Sequence, residues 1–109
     1  MSYEQVLAAV LRAPDPGAAL ADRLAGELPD PVRAALARVD PDGLRVAALL
    51  VVRLRFERVV QGSGQAAAWF EADPRAFTAA FKRFHAAVAP TGVLALEEGA
   101  AFEVWLAGD

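Results

Sequence analysis

Four Asp-Pro dipeptides, Asp15-Pro16, Asp30-Pro31, Asp40-Pro41 and Asp73-Pro74, punctuate this chain and constrain its fold more than any other feature. An aspartate at the N-cap accepts a hydrogen bond from an otherwise unpaired amide of the first helical turn. A proline at the first helical position lacks an amide proton that would have no intrahelical partner there anyway. The repeated device predicts a succession of short helices rather than an internal duplication.

The segments between these starts agree with it. Ser2 and Gln5 form a capping-box pattern, followed by Tyr3, Leu7, Val10 and Leu11 at helical spacing, which predicts a first helix over residues 3–12. After Asp15-Pro16, Leu20, Leu24 and Leu28 make an apolar stripe that ends at Pro29. After Asp73-Pro74, Phe77, Phe81, Phe84 and Val88 recur at steps of four, three and four, while Lys82, Arg83 and His85 point elsewhere. Pro90-Thr91-Gly92 closes that helix, and Glu97–Ala107 predicts a last one with Phe102, Trp105 and Leu106 on its apolar side. The final three residues are expected to fray.

The middle of the chain is ambiguous. Arg53-Leu54-Arg55-Phe56-Glu57 alternates like a strand, and Val46–Val52 has no polar face. A helix over about 42–60 is the better reading, because a lone strand would have no partner for its backbone hydrogen bonds. Leu49, Val52, Phe56 and Val60 then share a side, with the first half buried and the Arg-rich second half exposed. Gln61-Gly62-Ser63-Gly64-Gln65 reads as a turn. It lacks the lysine and following hydroxyl of a phosphate-binding loop. Ala66–Glu71 supplies a further turn or two of helix. The expected fold is all-α, a small orthogonal or irregular multi-helix bundle formed by residues 1–109 as one domain.

Composition narrows the chemistry. With no cysteine, the chain has no disulfide, thiol nucleophile or thiolate metal site. His85 is the one histidine, so no histidine cluster for a metal or a proton relay can form within one chain, and it reads as a surface or locally hydrogen-bonded side chain. Ser2 reads as a cap, Ser63 as a turn residue and Thr78 as a surface hydroxyl. The adjacent Glu97 and Glu98 point in different directions on a helix and read as favourable charge near its start. No catalytic residue, metal or organic cofactor is expected. The start has no basic leader segment, and the apolar run Val46–Val52 falls short of the roughly 20 residues a bilayer-spanning helix needs. A cytoplasmic protein without a membrane partner is expected.

Charge is unevenly placed. The net charge of −3 hides a centre, residues 44–85, at +4 between flanks at −3 and −4. Arg53, Arg55 and Arg58 are its densest group, joined by Arg75, Lys82 and Arg83. Arg55 and Arg58 can lie together on a helix, whereas Arg53 and Arg55 diverge. Guanidinium groups suit carboxylate or phosphate partners alike, so a protein interface and a nucleic-acid contact both stay open. Phe77, Phe81 and Phe84 read as core. Phe102, Trp105 and Leu106 either lock the last helix onto that core or complete an apolar partner groove, and Trp69, with no companion stripe, is a candidate for partial exposure.

From Arg53 to Leu106 the chain resembles a known family of small helical domains, described as DNA-binding-like. The residues concerned are Arg58, Phe70, Phe77, Phe81, Pro90 and the closing Gly99-Ala100-Ala101-Phe102-Glu103-Val104-Trp105-Leu106. Such domains serve as partner proteins to iron-containing, barrel-shaped enzymes that modify cysteines in ribosomally made peptides, including methanobactin biosynthesis. The resemblance implies a non-catalytic accessory or adaptor protein that binds a partner enzyme, a precursor peptide or both, the iron belonging to the enzyme. Arg55, Arg58, Trp69, Phe102, Trp105 and Leu106 are the expected partner-binding residues: the aromatics and Leu106 as anchors, the arginines steering an acidic segment. A nucleic-acid-binding domain is the alternative, and an enzyme using His85 or scattered carboxylates is the third class.

Overall fold

The computed structural model describes residues 2–90 and 94–108, and these are all-α. Seven helices follow in order: α1 (Tyr3–Arg12), α2 (Pro16–Ala25), α3 (Asp30–Ala37), α4 (Pro41–Gly62), α5 (Gly64–Ala72), α6 (Pro74–Ala87) and α7 (Ala95–Gly108). No helix among the described residues is long and apolar enough to cross a membrane. The residues group into two compact units, Met1–Val51 and Val52–Asp109, and α4 contributes to each. Thr91 and Gly92, read as part of a helix stop, lie outside the described residues.

In the first unit the capping box forms as expected: Ser2 Oγ accepts from the Gln5 amide at 3.2 Å, and Gln5 Oε1 accepts from the Ser2 amide at 2.9 Å. Asp15 caps α2 by accepting from the Ala18 amide at 3.1 Å. Asp30 departs from the pattern. Pro29 is the residue preceding α3, Asp30 is already helical, and no side chain caps this start. Asp40 resumes the pattern, accepting from the Asp42 and Gly43 amides at 3.3 Å each. Helix α2 stops at Ala25, so Leu28 lies beyond it. There the Arg33 guanidinium donates to the carbonyls of Leu24 and Gly26, satisfying groups that a helix end leaves open. Val6, Val10, Leu20, Leu36 and Leu44 form the core of this unit.

The second unit is built around aromatic side chains. Val59, Ala66, Phe77, Phe81, Phe84 and Phe102 are its buried core, with Val52, Phe56 and Val60 packed against them. Ser63 alone separates α4 from α5. Its hydroxyl accepts from the Ala66 amide at 3.0 Å and restarts the helix at once, so the expected five-residue turn contracts to a single cap. Asp73 caps α6 by accepting from the Ala76 amide at 3.1 Å.

Helix α4 follows the expected burial only in part: Leu44 and Ala48 are buried and Arg53 is exposed, but other positions depart from it. Leu49 is 71% exposed and does not share the inward side of Val52, Phe56 and Val60. Val46 and Leu50 are exposed as well, while Arg55 is buried. A segment that is apolar on every face gives no periodic signal for which side turns inward.

Candidate functional site

Three ionisable side chains meet inside the second unit. Arg55 comes from α4, His85 from α6 and Glu98 from α7, and they are 2%, 5% and 1% exposed. The Arg55 guanidinium donates through Nε to Glu98 Oε2 at 2.8 Å and through Nη1 to the Val88 carbonyl at 2.6 Å. Nη1 also lies 3.2 Å from His85 Nδ1. Arginine has no acceptor, so Nδ1 must accept, which places the proton of a neutral ring on Nε2. The guanidinium carbon sits 4.3 Å from the centre of the Phe84 ring, and Phe81 stacks on His85 at 5.9 Å. One cation is thus held by a carboxylate, a carbonyl, an imidazole nitrogen and a π face. Arg55 Nη2 and Glu98 Oε1 remain buried without a hydrogen-bond partner among the described residues.

This placement corrects three expectations. Arg55 is an interior ion-pair residue, so it is not an exposed charge that could steer a partner. Of the two readings of His85, the surface one is overturned by its burial, and its hydrogen bond runs to Arg55 on another helix. Glu98 is the inward counter-charge, while its neighbour Glu97 is exposed, as adjacent helical positions require. The sequence held a signal for each. Arg55 stands three residues after Val52 and four before Val59, His85 four after Phe81, and Glu98 four before Phe102. Helical spacing therefore places all three on core-facing stripes, and only their charge argued otherwise.

Glycine brings the chain close enough for the ion pair to form. A Cβ on Gly62 would collide with the Ala95 carbonyl, and one on Gly99 would collide with the Gly62 backbone. The end of α4 and the start of α7 therefore pack backbone against backbone, with Glu98 next to the point of contact. Gly62 is required for this approach. No described glycine has a positive φ, so the glycines do not serve the turn read from the sequence.

The other expected partner-binding residues divide by burial. Phe102 is fully buried, contacting Phe77 and Phe84 at ring-centre distances of 5.5 and 5.3 Å, so it belongs to the core and is no surface anchor. Trp105 and Leu106 are half-buried at the edge of that core, Trp105 lying 5.7 Å from Phe84. Trp69 is half-buried beside Phe77 at 5.8 Å, and its neighbour Phe70 is 37% exposed. Arg58 is half-buried. The structure thus joins Trp69, Phe77, Phe102 and Trp105 through one chain of ring contacts and leaves both indoles at its margins.

On the outside of α6, Arg75, Thr78 and Lys82 line an open groove with Pro74 and Ala79. The Thr78 hydroxyl donates to the Pro74 carbonyl at 2.7 Å. Among the described residues no group of three or more histidine, cysteine, aspartate or glutamate side chains is placed to hold a metal ion. No family model matches the chain, and no curated protein or solved structure matches it either.

Proposed function

We propose that the chain is a non-catalytic, cytoplasmic accessory or adaptor protein that binds a partner enzyme, a precursor peptide or both, in the modification of ribosomally made peptides. The observation that carries it is the pair of half-buried indoles, Trp69 and Trp105, at the margins of a packed aromatic core. Tryptophan concentrates binding energy at interfaces because it buries a large area at small entropic cost, and a packed base holds it in place beforehand. The resemblance to partner proteins of iron-containing peptide-modifying enzymes runs over Arg53–Leu106, within the same unit as both indoles. Leu106, packed against the aromatic core, and the half-buried Arg58 are secondary contacts, and Arg55 and Phe102 act only by supporting the surface from within.

The test is capture of partners from native lysate on the immobilised chain, followed by calorimetric titration of the peptide or enzyme identified. Loss of affinity in Trp105→Ala or Trp69→Ala, at unchanged helicity, supports the assignment. Equal affinity of both variants and wild type rejects it.

A second reading, nucleic-acid binding, is favoured by one arrangement. Arg75, Thr78 and Lys82 share one exposed face of α6, which suits contacts to a phosphate backbone. Titration of labelled single- and double-stranded nucleic acid at low salt decides it, and no binding there removes it.

A further inference from the structure

Helix α7 is apolar on two opposite sides. Phe102, Trp105 and Leu106 face the core of the second unit, whereas Leu96 and Val104 are 76% and 75% exposed. Leu96, Ala100, Val104 and Ala107, at steps of four, four and three, form one outward stripe, and all four are exposed. Leu96 and Trp105 are nine positions apart, two and a half helical turns, so this stripe lies opposite the indole. Isolated exposed leucines need no explanation, but a continuous stripe at helix-pairing spacing on a helix already packed on its other side does.

We infer that this outer face of α7 receives α4 of a second copy of the chain. Helix α4 carries a matching exposed stripe. Val46 and Leu50, 58% and 56% exposed, are four residues apart, and Leu49 stands beside them at 71%. Rows of side chains spaced by four on both helices can interdigitate, and Ala100, small and central, leaves a recess for a leucine.

Charge selects this pairing. The α7 stripe is edged by Glu97 and Glu103, and no lysine or arginine occurs after Arg83. The α4 stripe is edged by Arg45 and Arg53. Among the described residues each pairs within its own helix, Arg45 with Asp42 and Arg53 with Glu57, both at 3.6 Å and well exposed. Exposed pairs of this kind are worth little and exchange readily for intermolecular ones. Packing α7 on α7 of another copy would instead bring acids together with no cation between them. The contact joins unlike surfaces, so reciprocal exchange closes a dimer and a one-sided contact propagates a chain.

Sedimentation velocity of the full chain over a concentration series tests this. Wild type is expected to gain mass with concentration and to lose it as salt rises. Leu49→Glu and Val104→Glu, both at exposed positions, are each expected to weaken association by about tenfold or more, with helicity retained by circular dichroism. Each variant keeps the face the other has lost, so an equimolar mixture should recover a one-to-one complex that neither forms alone. Val104→Thr replaces Val104→Glu should the latter lose helicity. A wild type that stays monomeric throughout overturns the inference. So does a mixture that stays monomeric, or an association broken by Val104→Glu but untouched by Leu49→Glu, which would mean that α7 pairs with itself.

Discussion

Arg55 and Glu98 stand 43 positions apart in the sequence and 2.8 Å apart in the fold, both almost wholly out of water. Moving either charge from water into the interior is costly, and their mutual attraction with the added bonds to Val88 and His85 offsets that cost. Removal of one partner leaves the other uncompensated. Glu98→Ala and Arg55→Ala are therefore each expected to destabilise the second unit by about 3–5 kcal/mol. The double variant Arg55→Met with Glu98→Leu should lose much less than the sum of the two. Both tryptophans lie in this unit, so denaturant unfolding followed by indole fluorescence reads it alone. Additive losses would show that the pair is not coupled.

The glycines supply a second contrast. Gly62→Ala and Gly99→Ala each force a methyl group into backbone, and a loss of about 1–3 kcal/mol or more is expected. Gly64, which has open space around its Cα, should tolerate alanine and gain about 0.4–1 kcal/mol from the stiffer unfolded chain. The same fluorescence transition measures all three, and equal effects would remove the close-approach explanation.

The four Asp-Pro pairs look alike in the sequence but differ in what they do. Asp15→Ala and Asp73→Ala remove carboxylates that accept from a first-turn amide, and each is expected to cost about 1 kcal/mol. Asp30 sits inside α3 and caps nothing, so Asp30→Ala should cost only the few tenths of a kcal/mol associated with an acid near a helix start. Thermal unfolding by circular dichroism compares the three.

Binding and stability should separate among the aromatics. Phe102→Ala is expected to cost about 3–5 kcal/mol of stability, because Phe102 fills the centre of the core. Trp69→Ala and Trp105→Ala should cost less stability and more partner affinity, because both side chains stay partly exposed. Unfolding and calorimetric titration of the same three variants test the division. An affinity change that simply follows stability would argue against an interface role for the indoles.

Much of the helix order was legible in the sequence because its signals are local. A cap and the amide it satisfies are three residues apart, and the Phe77, Phe81 and Phe84 stripe lies within one helix. The charged cluster inside the second unit is harder to read, since helical spacing turns its residues inward while their charge argues for solvent. Arg55 looked solvent-bound because its counter-charge comes from another helix. Gly62 reads as a turn residue because close approach of two backbones leaves no local trace. Val46–Val52 has no polar face, so nothing local in the sequence orients Leu49. Of the expected partner-binding residues, Arg58, Trp69, Trp105 and Leu106 keep some exposure, while Arg55 and Phe102 do not.

The backbone contact of Gly62 with Gly99 and the ion pair beside it together admit only one alignment of α7. A slip by one residue along its axis would set a Cβ where only glycine fits and would turn Glu98 away from the guanidinium, stranding a cation in an apolar interior. Two independent errors would be incurred at once, so misaligned states are rejected steeply rather than gradually. The second unit thereby has a check on its own assembly that an all-hydrocarbon seam, indifferent to small displacements, would lack.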